Sequence, residues 1–409
     1  MVRILSDTVT GSIDPALDIG HANWDQPEHL AMAQLHMHRL FPTVALETAP
    51  PVSELAASQH RLDIEALSFP DPLHADRRMS GEQFLNRRLY NDALLVLHDG
   101  AIVHESYRNG MRASDRHVLH SCTKSLLSML VAIAAEEGRL QPEQAISQYV
   151  QELKAIPAWQ DVSVQHLLDM QAGIEYSEDY SDPQAHYWQY ARAAGYYPPL
   201  TGEQAIGIKA WILQNLTVRC ATPGTVFAYN SCLSNILGIA LEKIYGCGLA
   251  ELFESKLYQR IGAEADGYFN TDRFGFPITE GQLSLRLRDF ARLAMLVSNK
   301  GKNATGEQVL PENFAQKFAR PDSRAQNAYQ AQERDRVFPH GQYQDQFWVL
   351  DPAQGQFAML GIHGQFAWYD LHRQLMICGF GSYPQQDGEL MMRVLRDLWH
   401  SIADKVSSV

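Results

Sequence analysis

A long apolar run at residues 125–138 (SLLSMLVAIAAEEG) dictates a helix that the rest of the chain must bury. It follows directly on Ser121-Cys122-Thr123-Lys124. Upstream, residues 92–107 (DALLVLHDGAIVHESY) hold two apolar runs on either side of His98-Asp99-Gly100. Asp-Gly is a strong tight-turn signal, so this stretch reads as a β-hairpin. A hairpin, a short loop and a buried helix therefore form the centre of the fold.

The start of that helix carries chemistry. Residues three apart share a helix face, so Ser121 and Lys124 are neighbours. The first turn also offers unpaired backbone N–H groups and the positive end of the helix dipole. A hydroxyl, an amine able to take its proton, and a place that tolerates negative charge suit acyl transfer. The plainer alternative is a helix-capping serine beside a solvated lysine, because this short motif also arises by chance. Cys122 is weighed as nucleophile and set aside, since no lysine or histidine stands at helical spacing to lower its pKa.

Bulk properties narrow the rest. The chain has 409 residues, enough for a large core and two lobes. Its net charge of -13 argues against a nucleic-acid partner. No apolar run reaches membrane-spanning length. The first twenty residues, MVRILSDTVTGSIDPALDIG, lack the apolar core of a signal peptide, so a cytoplasmic location is expected. Five cysteines without a C-x-x-C pair fit free thiols in a reducing compartment. His36-Met37-His38 lacks a third ligand at useful spacing, and neither a metal nor a cofactor is expected. A homodimer is left open.

Along the chain, residues 1–80 read as an extended N-terminal segment wrapped on the body. Residues 165–171, 202–214, 231–245, 284–299 and 388–403 read as helices, and 346–350, 357–362, 364–369 and 375–379 as strands. The order implies an α/β fold of the α+β kind: a mainly antiparallel sheet built from both chain ends, flanked by helices, with an all-α insertion. The expected division is residues 81–125 with 271–409 for the α/β domain and 126–270 for the helical insert.

Two further motifs stand in order behind Ser121-x-x-Lys124. Phe227-Ala228-Tyr229-Asn230-Ser231 follows a turn at Thr222-Pro223-Gly224, and Gly361-Ile362-His363-Gly364-Gln365 lies in strand-like sequence. With the Ser-x-x-Lys helix, these resemble the serine β-lactamase and penicillin-binding-protein superfamily, class C type. The run from residue 94 to 140, Leu168-Asp169-Met170-Gln171 and Glu178-Asp179-Tyr180-x-Asp182-Pro183 resemble the 6-aminohexanoate-dimer hydrolases within it. The resemblance spans roughly residues 90–400. It implies a β-lactamase/transpeptidase-like fold and hydrolysis of esters and, in some members, linear amides.

Carried over by motif, Ser121 resembles the nucleophile, Lys124 its proton partner and Tyr229 the general acid/base. The oxyanion donors would be the N–H groups of Ser121 and Ile362, with Gln365 as the alternative second donor. Tyr180, Trp188, Tyr196, Trp348 and His363 are expected at the substrate cleft, the four aromatic residues because they fall in loops that line it in the family. The expected partner is a small ester or amide. An acid carried by strongly amide-cleaving members falls here at Ala191, and a K-T-G lysine is also missing. Both departures favour a serine carboxylesterase over a nylon-dimer hydrolase, a β-lactamase or a D-alanyl-D-alanine peptidase. A non-catalytic sensor module on the same fold is the remaining alternative.

Overall fold

The computed structural model describes residues 11–14, 18–331 and 337–406 of the chain. Its largest sheet has seven strands and is antiparallel throughout. Strands β1 (Asn91–His98) and β2 (Ala101–Tyr107) form the expected hairpin. Asp99 (φ 50°) and Gly100 (φ 76°) both take the left-handed region, as a two-residue turn between twisted strands requires. The other five strands come from the end of the chain: β3 (Gln342–Gln344), β4 (Phe347–Asp351), β5 (Gln356–Gly361), β6 (Gln365–Asp370) and β7 (Leu375–Gly381). The sheet order is β3-β4-β5-β6-β7-β1-β2, so the early hairpin closes onto the last strand.

Both faces of this sheet are covered. Leu95 and Leu97 of β1 enter one core, and Leu94 and Val96 enter the other, as the two-residue period of a strand demands. The first core holds helix α1 (Cys122–Glu136), α3 (Ser231–Tyr245) and α4 (Leu287–Ser298). The second holds the terminal helix α5 (Glu389–Val406), where Trp399 stacks on Trp368 of β6 with centroids 5.8 Å apart. Helix α2 (His186–Ala194) lies between α1 and α3 in the chain.

A second, four-stranded sheet was not foreseen. Its order is Thr43–Leu46, Gly267–Asn270, Leu283–Leu285 and His117–Val118. These strands are too short to show a period in sequence, yet Ser284 pairs with Val118 and Leu119 N–H donates to Leu283 O at 2.8 Å. That pairing brings residue 280 against the start of α1.

Several sequence expectations are adjusted. The N-terminal segment is more structured than an extended wrap. It contains the single-turn helices Leu30–Ala33 and Met37–Leu40, an edge strand of the small sheet, and a hairpin of Ser68–Asp71 with His74–Ser80. The first ten residues, part of the leader reading, lie outside the described residues. The helix expected from 202 begins only at Ile208, because Gly207 (φ 83°) breaks the helical path. Helix α2 was read as loop: it has no side-chain cap at Ala185, and its aromatic residues hid the period until Gly195 (φ 99°) ends it. Trp188 is therefore helical, and Trp348 lies in β4, so neither sits in a loop.

Candidate active site

Helix α1 is buried on nearly every side, and this fixes the environment of its first turn. Ser121 holds the N-cap position with φ -65° and ψ -9°, but its hydroxyl caps no backbone N–H. Instead Lys124 Nζ donates to Ser121 Oγ at 2.8 Å and to the Glu280 carbonyl at 2.5 Å. Lys124 is 1 % exposed. Both halves of the plainer alternative fail here, since the serine does not cap and the lysine is not solvated. Burial pushes the Lys124 ammonium below the ordinary lysine pKa, opposed by the carboxylates of Glu280 and Glu178. Next to it, burial raises the Cys122 thiol well above its ordinary value, so it stays protonated.

Tyr229 reaches the same point from the other motif. Ala228 N–H donates to Met170 O at 2.8 Å, and Asn230 Oδ1 caps α3 by accepting from Cys232 N–H at 3.0 Å. Between these two anchors Tyr229 lines the same cleft as Ser121, whose side chain offsets part of the rise in the phenol's pKa. Its ring lies 5.1 Å from Lys124 Nζ and stacks on Trp348 at 5.7 Å. Burial, then the Glu178 charge, holds the phenol well above its usual pKa, so it is protonated at rest.

The third motif is a tight turn between β5 and β6. His363 takes φ 61°, a costly conformation for a non-glycine residue. It is held by His363 N–H to Gln386 O (2.9 Å), Tyr383 N–H to His363 O (3.0 Å), and the ring Nδ1 on Tyr383 O (2.8 Å). Gly361 runs so close to the segment leading into α1 that an added Cβ would lie 2.6 Å from Leu119 O. Only glycine allows that approach. Ile362 and Ser121 line the same cleft. Gln365 is fully buried elsewhere, its side chain paired with Gly381 on both sides.

That cleft has a volume of about 1040 Å³ and is lined by Ser121, Tyr229, Tyr180, Trp348 and Ile362 among others. Trp188, Tyr196 and His363 do not line it. They border a small neighbouring cavity that shares Tyr180 and Ile362 with the cleft. Tyr196 points its hydroxyl at Glu280 Oε1, 2.7 Å away, and His363 is 1 % exposed. Ala191 is fully buried in α2 and lines neither space.

Two carboxylates escaped the sequence reading. Glu178 accepts from Ser231 N–H, Ser231 Oγ and Tyr180 OH, and Glu280 accepts from Tyr190 and Tyr196 OH. Burial raises the pKa of both, and Lys124 pulls both back down. Glu178 stood in a recognised motif without a role. Glu280 had no local signal, because only the long-range pairing of Leu283–Leu285 carries it to Lys124.

The β-lactamase family profile matches residues 77–381. The chain belongs to the β-lactamase family. Within this family it is 30% identical over 378 residues to the 6-aminohexanoate-dimer hydrolase of Paenarthrobacter ureafaciens, covering 91% of this chain and 90% of that one. A solved structure from Bacillus anthracis, named as a candidate 6-aminohexanoate-dimer hydrolase, superposes with a TM-score of 0.85 at 23% identity. It covers 96% of this chain and 98% of its own. A family VIII carboxylesterase superposes with a TM-score of 0.55 at 16% identity, over 78% of this chain and 95% of its own. The β-lactamase-like fold and membership among the serine hydrolases of this family follow. Among the described residues no helix is long and apolar enough to cross a membrane.

Proposed function

We propose that this protein hydrolyses carboxylic esters through an acyl-enzyme on Ser121. The observation that carries the reading is the 2.8 Å contact between Ser121 Oγ and the buried Lys124 Nζ, which lies 5.1 Å from the Tyr229 ring. Neutral Lys124 takes the Ser121 proton as the oxygen attacks the ester carbonyl. The N–H groups of Ser121 and Ile362 receive the oxyanion. Ile362 is favoured over Gln365 because it lines the cleft and Gln365 does not. Tyr229 then protonates the leaving alkoxide and is itself reprotonated from Lys124. Water attacks the acyl-enzyme by the same groups in reverse.

Esters come first because their leaving group asks less of the general acid than an amide does. Linear amides are the secondary class, brought by the 6-aminohexanoate-dimer hydrolase relative. β-Lactams and D-alanyl peptides are disfavoured. Where those enzymes use a lysine to bind a carboxylate, this turn carries His363, buried, bonded to a carbonyl, and held by burial at a pKa of about 4. A panel of p-nitrophenyl esters of varied acyl length, beside a linear amide and nitrocefin, tests the proposal. Short esters should turn over fastest. Nitrocefin as the best substrate, or no ester turnover at all, would refute it.

A further inference from the structure

Two left-handed histidines flank the residues named above as oxyanion donors. His120, immediately before Ser121, takes φ 44°, and His363, immediately after Ile362, takes φ 61°. Residues other than glycine rarely hold this region, and where they do the surrounding structure must enforce it. His120 is held on three sides. Its carbonyl accepts from Thr123 N–H at 2.9 Å, and its ring Nε2 accepts from Gln34 Nε2 at 3.2 Å. A Cβ added to Gly361 would lie 3.1 Å from the His120 Cβ, so the strand that leads to Ile362 runs directly against it. His363 is held by its bonds to Tyr383 and Gln386.

The two rings meet, with centroids 5.6 Å apart and planes at 54°. Both side chains are buried. Two charged rings this close would repel. Burial prevents that, holding His363 at a pKa of about 4 and His120 well below its ordinary value. Lys124 and His117 push His120 the same way, and Asp25 only partly offsets the effect on His363. The peptide between His120 and Ser121 is trans. With its carbonyl turned onto Thr123, the Ser121 N–H points the opposite way, out of the helix start. The ring contact therefore ties together the two short segments that carry Ser121 N–H and Ile362 N–H. We propose that His120 and His363 are positioning residues whose ring contact fixes the separation of the two oxyanion donors. The proposal rests on the acyl-enzyme reading of the main cleft and deepens it. An oxyanion hole works through donors that are in place before the charge develops.

His120→Asn and His363→Asn test it, because asparagine tolerates a left-handed backbone while removing the ring. Each should lower kcat/KM for p-nitrophenyl acetate by about tenfold, part of what the loss of one donor costs. Each should also shrink the rate advantage of the ester over its thionoester, whose sulfur accepts hydrogen bonds weakly. The double variant should be little worse than either single one, since all three lose the same contact. A preserved ester-to-thionoester ratio, or losses that multiply in the double variant, would overturn the proposal. Gln34→Met serves where an asparagine variant does not fold. It unties the His120 ring without touching the strained backbone, and it removes an Oε1 buried without a partner among the described residues. The ratio should shrink there too, and a wild-type ratio in Gln34→Met would also overturn the proposal. A wild type that cleaves an amide but no ester sinks the ester reading alone. The same variants are then read on that amide and its thioamide, because both acyl donors develop an oxyanion at the same place. A wild type inert to every acyl donor overturns both readings.

Discussion

Ser231 closes both its backbone N–H and its hydroxyl on the Glu178 carboxylate, at 2.8 and 2.6 Å. A negative group is welcome at a helix N-terminus, so α3 holds this carboxylate in place where Lys124 feels its charge. Glu280 does the same from the other side, and its own backbone carbonyl grips Lys124 Nζ. Lys124 is thus balanced between burial, which discharges it, and two acids, which keep it charged.

This balance sets a pH dependence. Lys124 must be neutral to act as base, so kcat/KM for an ester should rise with pH through a limb below the ordinary lysine pKa. Glu280→Gln removes a charge that raises the Lys124 pKa while leaving an oxygen for Tyr190 and Tyr196. The limb should move to lower pH. A pH profile that is unchanged, or shifted upward, would contradict the assigned coupling.

Ser121→Ala should abolish ester hydrolysis and labelling by a fluorophosphonate probe. Loss of a nucleophile in covalent catalysis removes several orders of magnitude. Near-wild-type turnover by folded variant protein would move the nucleophile elsewhere.

Lys124→Ala and Tyr229→Phe should each slow the reaction by at least about a hundredfold. Lys124 Nζ contacts Ser121 Oγ and lies over the Tyr229 ring, so the double variant should be little worse than the worse single one. Independent, multiplying losses measured in the double variant would mean that no shared proton path exists.

Gly361→Ala should damage activity more than folding. The added methyl meets the Leu119 carbonyl, and the simplest relief is a shift of the turn that carries Ile362. Overpacking of this kind costs about 1–3 kcal/mol. We expect a lower kcat with a modest fall in Tm. Full activity would show that Ile362 is not an oxyanion donor.

The family resemblance placed at Ala191 the acid that strongly amide-cleaving members carry, which implies that an acid there would raise amide cleavage. The structure reverses that expectation. Ala191 is fully buried in α2, and an unpaired carboxylate there costs about 3–5 kcal/mol. Ala191→Asp should lower Tm by several degrees without raising the amide-to-ester ratio, as thermal melts and paired assays will read.

What was legible in the sequence was mostly local. The Asp-Gly turn, the apolar run after Ser121, and the Tyr229-Asn230-Ser231 cap each carry their own signal over a few residues, and each lies where expected. The strands that present Ile362 were also visible, because buried antiparallel strands here are continuous aliphatic and aromatic runs. Contacts made at a distance were not. Glu280 beside Lys124 depends on a three-residue strand pairing across more than a hundred residues. Trp188 and Tyr196 were expected in the cleft wall, but α2 and the turn that ends it direct them toward the neighbouring cavity.

The pairing of β1 with β7 also has a consequence for how the chain matures. Ser121 and Lys124 leave the ribosome long before the strands that carry Ile362. Until β5, β6 and β7 arrive, β1 offers an unsatisfied edge, and the cleft wall that carries Ile362 is missing beside Ser121. Folding must wait for contacts of very high sequence separation, which are slow to form. A nascent chain halted before residue 381 should be a protease-sensitive client of chaperones and chemically silent, so the hydrolase switches on only near the end of its own synthesis.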